Sequence, residues 1–254
     1  MADLELIVLG SASGMPDPDR AHASLALRRA GDVWLLDAGE GVSRSMLRWG
    51  LDPHEIREIY ITHCHPDHCA GLFMILQYLH MEGSTQQVNI YLPGGAITAF
   101  QKFMDQVYLI NGAINPRYAL RPLTDKHHMA DDLILETFPT GHLQSWQELN
   151  LPDLETRSYA FRVYTSKQSL FYSGDVKEIA DIEGHLQPGD LLVLEAAHID
   201  FESVLGVARE AGIRRLLLTH ALPEMAYKLE DLKVAAKKYH VELQIARDGV
   251  RLSP

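Results

Sequence analysis

Polar and apolar residues along the chain follow two periods, one of two residues and one of three to four, and these predict strands and helices respectively. Leu4-Glu5-Leu6-Ile7-Val8-Leu9 alternates and then turns apolar, which predicts a strand ending at Gly10, with Ser11 to Pro16 as a loop. Strands follow at about Ala23 to Arg29 and Val33 to Asp37, paired as a hairpin through the turn Arg29-Ala30-Gly31-Asp32. Asp37-Ala38-Gly39-Glu40-Gly41 hands over to a helix near Val42 to Trp49, with Gly50 as its stop. After a strand at Glu58 to Thr62, Leu72, Ile75, Leu76 and Leu79 recur at helical spacing within His68 to Met81. A strand at Val88 to Leu92, a turn at Pro93-Gly94-Gly95 and a helix at Ala96 to Val107 make the first half an α/β layer.

The middle of the chain is less regular. Tyr118 to Leu123 and Leu133 to Phe138 read as strands, Leu143 to Arg157 as a polar loop, and Tyr159 to Thr165 with Ser169 to Tyr172 as a hairpin. The α/β pattern then resumes with a strand at Leu191 to Glu195, a helix at about Phe201 to Glu210 and a strand at Arg215 to Thr219. A helix near Glu224 to Tyr239 and strands at Glu242 to Ala246 and Val250 to Leu252 close the chain. Both halves place metal-type side chains just after strands, as two related units would.

Length and composition narrow this picture. With 254 residues, 46% of them apolar, the chain can bury a full core, and a single domain covering 1–254 is expected. It contains no apolar run of membrane-spanning length, and Met1-Ala2-Asp3-Leu4-Glu5 lacks the basic start of a secretion signal, so a cytoplasmic location without membrane contact is expected. A formal net charge of −11 disfavours a long polyanion such as nucleic acid, whose binding rests on lysine and arginine. The same charge does not exclude a small phosphate ester, so the partners to consider are such a small-molecule ester substrate and, in a homodimer, a second copy of the chain. Two cysteines, Cys64 and Cys69, cannot make a disulfide framework and are expected to be small packing residues.

Chemistry concentrates at Thr62-His63-Cys64-His65-Pro66-Asp67-His68. Three imidazoles and a carboxylate within six residues far exceed the density that 13 His in 254 residues would scatter by chance. Residues two apart in an extended segment point the same way, so His63, His65 and Asp67 share one face, and His68 opens the helix behind. Imidazole with carboxylate suits zinc, manganese or iron(II), and the stretch reads as half of a two-metal site. His142 follows one strand, Asp175 the end of a hairpin and His220 another strand. Asp37 reads as structural, hydrogen-bonding the turn behind the histidine loop. His54, His80, His127, His128, His185 and His240 are expected to be solvated or capping residues.

In number and order, His-x-His-x-Asp-His at 63 to 68, Gly-His at 141 to 142, Ser-Gly-Asp at 173 to 175 and Thr-His at 219 to 220 resemble the dinuclear hydrolases of the metallo-β-lactamase superfamily. Leu9-Gly10-Ser11-Ala12-Ser13-Gly14, Leu36-Asp37-Ala38-Gly39-Glu40-Gly41 and Ile61-Thr62-His63 resemble the opening motifs of its ribonuclease Z-like branch, the tRNA 3′-processing endonucleases. The resemblance implies an α+β fold, a four-layer αβ/βα sandwich with metals at the shared edge of two sheets. It implies two divalent ions, zinc first with manganese or iron as alternatives. His63, His65 and His142 would hold one, and Asp67, His68 and His220 the other, with Asp175 bridging. Two ions about 3.5 to 4 Å apart would share a hydroxide in line with a bound ester, and Asp67 would orient it and accept its proton.

Two departures from that branch bear on the substrate. The His-Glu-Ala-Thr motif, whose His helps protonate the leaving group, is here Leu194-Glu195-Ala196-Ala197, followed by His198 as the alternative acid or phosphate contact. The long tRNA-gripping arm placed in bacterial members between the third-motif His and the bridging Asp is missing, since 32 residues separate His142 from Asp175. A phosphodiesterase for a small or cyclic phosphodiester is therefore the first expectation and a tRNA 3′-processing endonuclease the second. A non-hydrolytic diiron redox or sensing protein is the third. Redox members commonly replace the His68 equivalent or carry Glu in place of His65, and both positions are His here.

Overall fold

The computed structural model of the chain describes residues 3–197, 200–220 and 229–254. They divide into two compact units. One runs to Leu123 and takes in Leu151–Glu155 and Asp248–Ser253; the other comprises Thr124–Asn150 and Thr156–Arg247.

The first unit is built on strands β1 (Glu5–Gly10), β2 (Ser24–Arg29), β3 (Asp32–Leu36), β4 (Ile56–Tyr60), β5 (Val88–Leu92), β6 (Tyr118–Pro122) and β14 (Arg251–Leu252). They form one sheet in the order β14-β1-β2-β3-β4-β5-β6. The first three joins are antiparallel and those from β3 to β6 parallel. The hairpin expected at Ala30-Gly31 is present: Arg29 pairs with Asp32, and both turn residues have positive φ, 53° and 87°, as a two-residue turn matched to strand twist requires. Helices α1 (Val42–Arg48), α2 (Pro66–Cys69), α3 (Leu72–Met81) and α4 (Ile97–Gln106) follow the parallel strands. Ile7, Leu35 and Ile59 of the sheet share a core with Met46 of α1, Leu72, Ile75, Leu76 and Leu79 of α3, and Met104 of α4.

One expected helix is divided. The run from His68 to Met81 breaks into α2 and α3 because Gly71 is pressed against the preceding loop: its N–H donates to Ala38 O at 2.8 Å, and a Cβ there would lie 2.1 Å from Gly39 O. The expected strand at Glu58 to Thr62 instead covers Ile56–Tyr60. Thr62 leaves the ladder because its N–H is taken by the Asp37 carboxylate.

The second unit carries β7 (Lys126–Ala130), β8 (Leu133–Thr140), β9 (Ser158–Tyr164), β10 (Ser169–Tyr172), β11 (Leu191–Glu195), β12 (Arg215–Thr219) and β13 (Glu242–Ile245). Their order is β13-β12-β11-β10-β9-β8-β7, antiparallel from β7 to β10 and parallel from β10 to β13. Helices α5 (Ala180–Glu183), α6 (Phe201–Glu210) and α7 (Leu229–Lys238) accompany it. Leu192 and Leu194 of β11, Leu216 and Leu218 of β12 and Val204, Leu205 and Ala208 of α6 form its core. The expected helix from Glu224 is seen from Leu229, residues 224–228 lying outside the described ones.

Strand β7 had no apolar alternation to announce it, since its two buried positions are His127 and Met129. His127, expected to be a solvated or capping residue, is buried and caps a turn. Its Nε2 accepts the Thr124 N–H at 3.0 Å, and burial holds its pKa below the usual imidazole value. Each unit thus repeats one plan, an antiparallel run followed by parallel strands with helices, which is an α+β architecture. Among the described residues no helix is long and apolar enough to cross a membrane.

Candidate metal centre

In the first unit the donors gather at the carboxyl end of β4, where side chains of a parallel sheet converge on a ligand. His63 and His68 are fully buried, while His65 and Asp67 are partly exposed. The His63 ring lies 4.7 Å from that of His65 at 73° and 4.1 Å from that of His68. Pro66 opens α2 with His65 as its N-cap residue, and this one turn brings Asp67 Oδ2 to 3.6 Å from His68 Nε2.

Asp37 organises these imidazoles. Its carboxylate accepts the Thr62 N–H at 2.7 Å and the Thr62 hydroxyl at 2.9 Å. It also lies 2.8 Å from His68 Nδ1, and Thr62 Oγ1 is 3.0 Å from His63 Nδ1. With the hydroxyl proton directed to Asp37, both imidazoles carry their proton on Nδ1, the first toward Thr62 and the second toward Asp37. Each presents the Nε2 lone pair, the form a metal needs. The expectation that Asp37 braces the histidine loop holds. Its direct bond to His68 was not foreseen, although an acidic residue at the end of the neighbouring parallel strand is the available signal.

Three glycines let the loops of this unit close. A Cβ on Gly10 would meet the His22 carbonyl oxygen at 1.7 Å, and one on Gly39 would lie 2.2 Å from Asp67 O and 2.8 Å from His22 Cβ. A Cβ on Gly14 would stand 3.3 Å from Asp67 Oδ2. His22 is buried, with Nδ1 2.7 Å from Ser13 O. Cys64 and Cys69 are packing residues, as expected: burial, with help from the nearby Glu155 and Asp37 charges, pushes the Cys64 thiol up to about 12, and burial first of all raises Cys69 as well. Both stay protonated and poor as ligands.

In the second unit the ends of β8, β10 and β12 supply the remaining donors. Asp175 Oδ2 lies 3.6 Å from His142 Nε2 and 3.5 Å from His220 Nε2, so one carboxylate oxygen faces two imidazoles. Two neighbouring side chains hold these loops: Asp181, which the sequence reading did not single out, and Glu195, which it named only within the Leu194–Ala197 stretch. Asp181 accepts the N–H of Gly141 at 2.9 Å and of Lys177 at 2.8 Å, tying the His142 loop to the Asp175 loop. The buried Glu195 carboxylate accepts the Ala197 N–H at 2.7 Å, and its own N–H donates to Ser173 Oγ at 3.0 Å. His198 lies outside the described residues.

A family model described as a beta-lactamase superfamily domain matches residues 34–221. The chain belongs to that superfamily. Within it, ribonuclease Z of Streptomyces coelicolor is 27% identical over 295 aligned residues, covering 99% of this chain and 98% of the relative. The metallo-beta-lactamase fold protein YhfI of Bacillus subtilis has the same fold, with a TM-score of 0.78 at 20% identity over 98% of this chain and 99% of that one. Human tRNase Z, short form, also shares it, with a TM-score of 0.74 at 20% identity over 98% of each chain. This membership makes the chain a metal-dependent hydrolase, similar in sequence to ribonuclease Z, and the superfamily implies divalent metal ions.

The donors in each unit fit such ions. Zinc holds nitrogen and oxygen ligands at about 2.0 to 2.2 Å in a tetrahedron, which sets neighbouring ligand atoms about 3.4 Å apart. The Asp67–His68, His142–Asp175 and His220–Asp175 pairs stand at 3.6, 3.6 and 3.5 Å. That is too long for hydrogen bonds and close to the spacing of two ligands on one ion.

Proposed function

We propose that the chain is a dinuclear phosphodiesterase acting on a small or cyclic phosphodiester, its two units serving as one catalytic domain over 1–254. In this reading His63, His65 and His142 would hold one ion and Asp67, His68 and His220 the other, with Asp175 as the carboxylate that both would share. When bound, two divalent ions, zinc first, supply a hydroxide near neutral pH and positive charge at the phosphoryl oxygens. Asp67 orients the attacking oxygen and takes its proton on a carboxylate oxygen, while Asp37 fixes the tautomers of His63 and His68. His198 is the proposed proton donor to the leaving group.

Missing chain length carries the choice of a small ester. An alignment of 295 residues against a chain of 254 leaves at least 41 positions at which the Streptomyces relative has residues this chain lacks. Only 32 residues lie between His142 and Asp175. A net charge of −11 points the same way, because gripping an RNA backbone needs a basic surface. The likeness to ribonuclease Z of Streptomyces coelicolor supports the second reading, a tRNA 3′-processing endonuclease.

Elemental analysis combined with turnover of bis(4-nitrophenyl) phosphate and of precursor tRNA tests both readings. Two zinc ions per chain with cleavage of the diester alone is the expected outcome. Cleavage of precursor tRNA alone would establish the second reading, and a visible absorption band from an oxo-bridged iron pair would replace hydrolysis with redox chemistry. Asp67→Ala should abolish turnover; an unchanged rate would remove the role assigned to that carboxylate.

A further inference from the structure

Asp248 comes close to the end of the chain, yet its carboxylate closes the neck of the loop between β1 and β2. One oxygen accepts the Ser11 N–H at 3.0 Å and the Ser11 hydroxyl at 2.8 Å. The other accepts the Ala21 N–H at 2.7 Å. Ala12 N–H donates to Ala21 O at 3.0 Å across the same neck, and Arg20 Nη1 donates to Ser11 O at 3.4 Å. Farther in, His22 Nδ1 donates to Ser13 O at 2.7 Å. Beyond the neck the segment from Gly14 to Pro16 is exposed, so its place depends on these polar bonds and not on a core.

That segment borders the Asp67 side chain. The space a Cβ on Gly14 would fill is bounded by the Asp67 carboxylate, with Oδ2 at 3.3 Å, Cγ at 3.6 Å and Oδ1 at 3.9 Å. On the other side, Gly39 lets the Asp67 carbonyl and the His22 side chain come together. Asp67 therefore sits against a wall whose ends are both held by one distant carboxylate.

The geometry points to Asp248 as a positioning residue for Asp67, acting through the Ser11–Ala21 neck and the Ser13–Gly14 tip. No other side-chain type of similar size matches the arrangement. Asparagine keeps one acceptor oxygen but turns an NH2 toward a backbone N–H, breaking one side of the neck. Burial raises the carboxyl of Asp248, while the donors of Ala21 and Ser11 and the charge of Arg20 oppose the shift. The inference rests on the proposed role of Asp67 for its effect on turnover, and on the first unit alone for its effect on structure.

Hydrogen exchange on the chelator-treated protein isolates the structural part. Asp248→Asn should speed exchange in peptides covering 11–22 and in those covering 64–70, with the remainder of the chain unchanged. In the zinc-loaded enzyme the affinity for the weaker-bound ion, read by chelator competition, should fall about tenfold. The kcat for bis(4-nitrophenyl) phosphate should fall by about the same factor with KM within about twofold. Ser11→Ala, which removes one donor of three, should give the same pattern at smaller amplitude and serves if Asp248→Asn does not fold. Glu5→Gln, which breaks the Glu5–Arg251 pair beside the same chain end, should leave all three readings unchanged.

Faster exchange confined to 11–22, or a lowered melting temperature with zinc affinity and kcat intact, would overturn the inference. If the wild-type protein cleaves no diester, the proposed function fails, and exchange at 64–70 still decides for or against Asp248.

Discussion

His68 Nδ1 stands 2.8 Å from Asp37 Oδ2, and neither side chain has any solvent exposure. A buried acceptor at Nδ1 fixes the ring's orientation and leaves Nε2 in the form that binds metal. Asn at position 37 would keep the shape but could face His68 Nδ1 with an NH2, selecting the opposite tautomer. Asp37→Asn should therefore weaken metal binding and turnover by about 10- to 100-fold. Chelator competition on the purified variant checks this, and an unchanged zinc affinity would show that the bond only braces the fold.

Glycine positions should divide by what surrounds them. Gly39→Ala and Gly71→Ala would drive a Cβ to 2.2 and 2.1 Å from backbone oxygens of Asp67 and Gly39, contacts that no side-chain rotation relieves. Each should cost at least about 3 kcal/mol in urea unfolding. Gly206, inside α6, has nothing within 4 Å of its Cβ position. Gly206→Ala should stabilise by about 1 kcal/mol, the difference in helix propensity. A loss of stability there would mean that the helix face is more crowded than the structure shows.

What the sequence disclosed follows from how local each cause is. The hairpin at Ala30-Gly31, helix α3 and strands β11 and β12 rest on turn chemistry and apolar period, both readable within a few residues. The seven candidate donors were legible because each lies close behind a strand. Strand β7 was not, since a His takes one of its two buried positions. The break between α2 and α3 depends on contact with the loop at Ala38-Gly39, which no helical period encodes. Asp248 was invisible for the strongest reason, its partner Ser11 being 237 positions away.

Glu58 gives a prediction that depends on pH. Burial raises its carboxyl above the usual value, against opposing hydrogen bonds from Tyr60, Asn89 and Tyr91. Tyr60 OH donates to it at 2.6 Å, and the Tyr60 and Tyr91 rings stack at 4.8 Å. Because the folded pKa lies above the unfolded one, ionised Glu58 costs stability above the folded pKa, and that cost disappears as pH falls below the unfolded value. Glu58→Gln should raise the melting temperature by roughly 2 °C at pH 8 and lose the advantage by about pH 4. An advantage that persists on acidification would place its origin in packing.

Asp181 should matter to metal binding although it was not among the expected ligands. One of its oxygens accepts the N–H of Gly141, just before His142, and that of Lys177, two residues after Asp175. Asp181→Ala would leave both donors without this acceptor, and the loops could spread, lengthening the 3.6 Å separation between His142 Nε2 and Asp175 Oδ2. Asp181→Asn keeps one oxygen for the two donors and should be milder. The expected order of zinc affinity is wild type, Asp181→Asn, Asp181→Ala, with the last about tenfold or more below the first. Chelator titration measures the order, and a melting curve taken without metal separates loop spreading from general unfolding. If Asp181→Ala lowers the metal-free melting temperature but binds zinc as tightly as wild type, the clamp supports the fold without shaping the site.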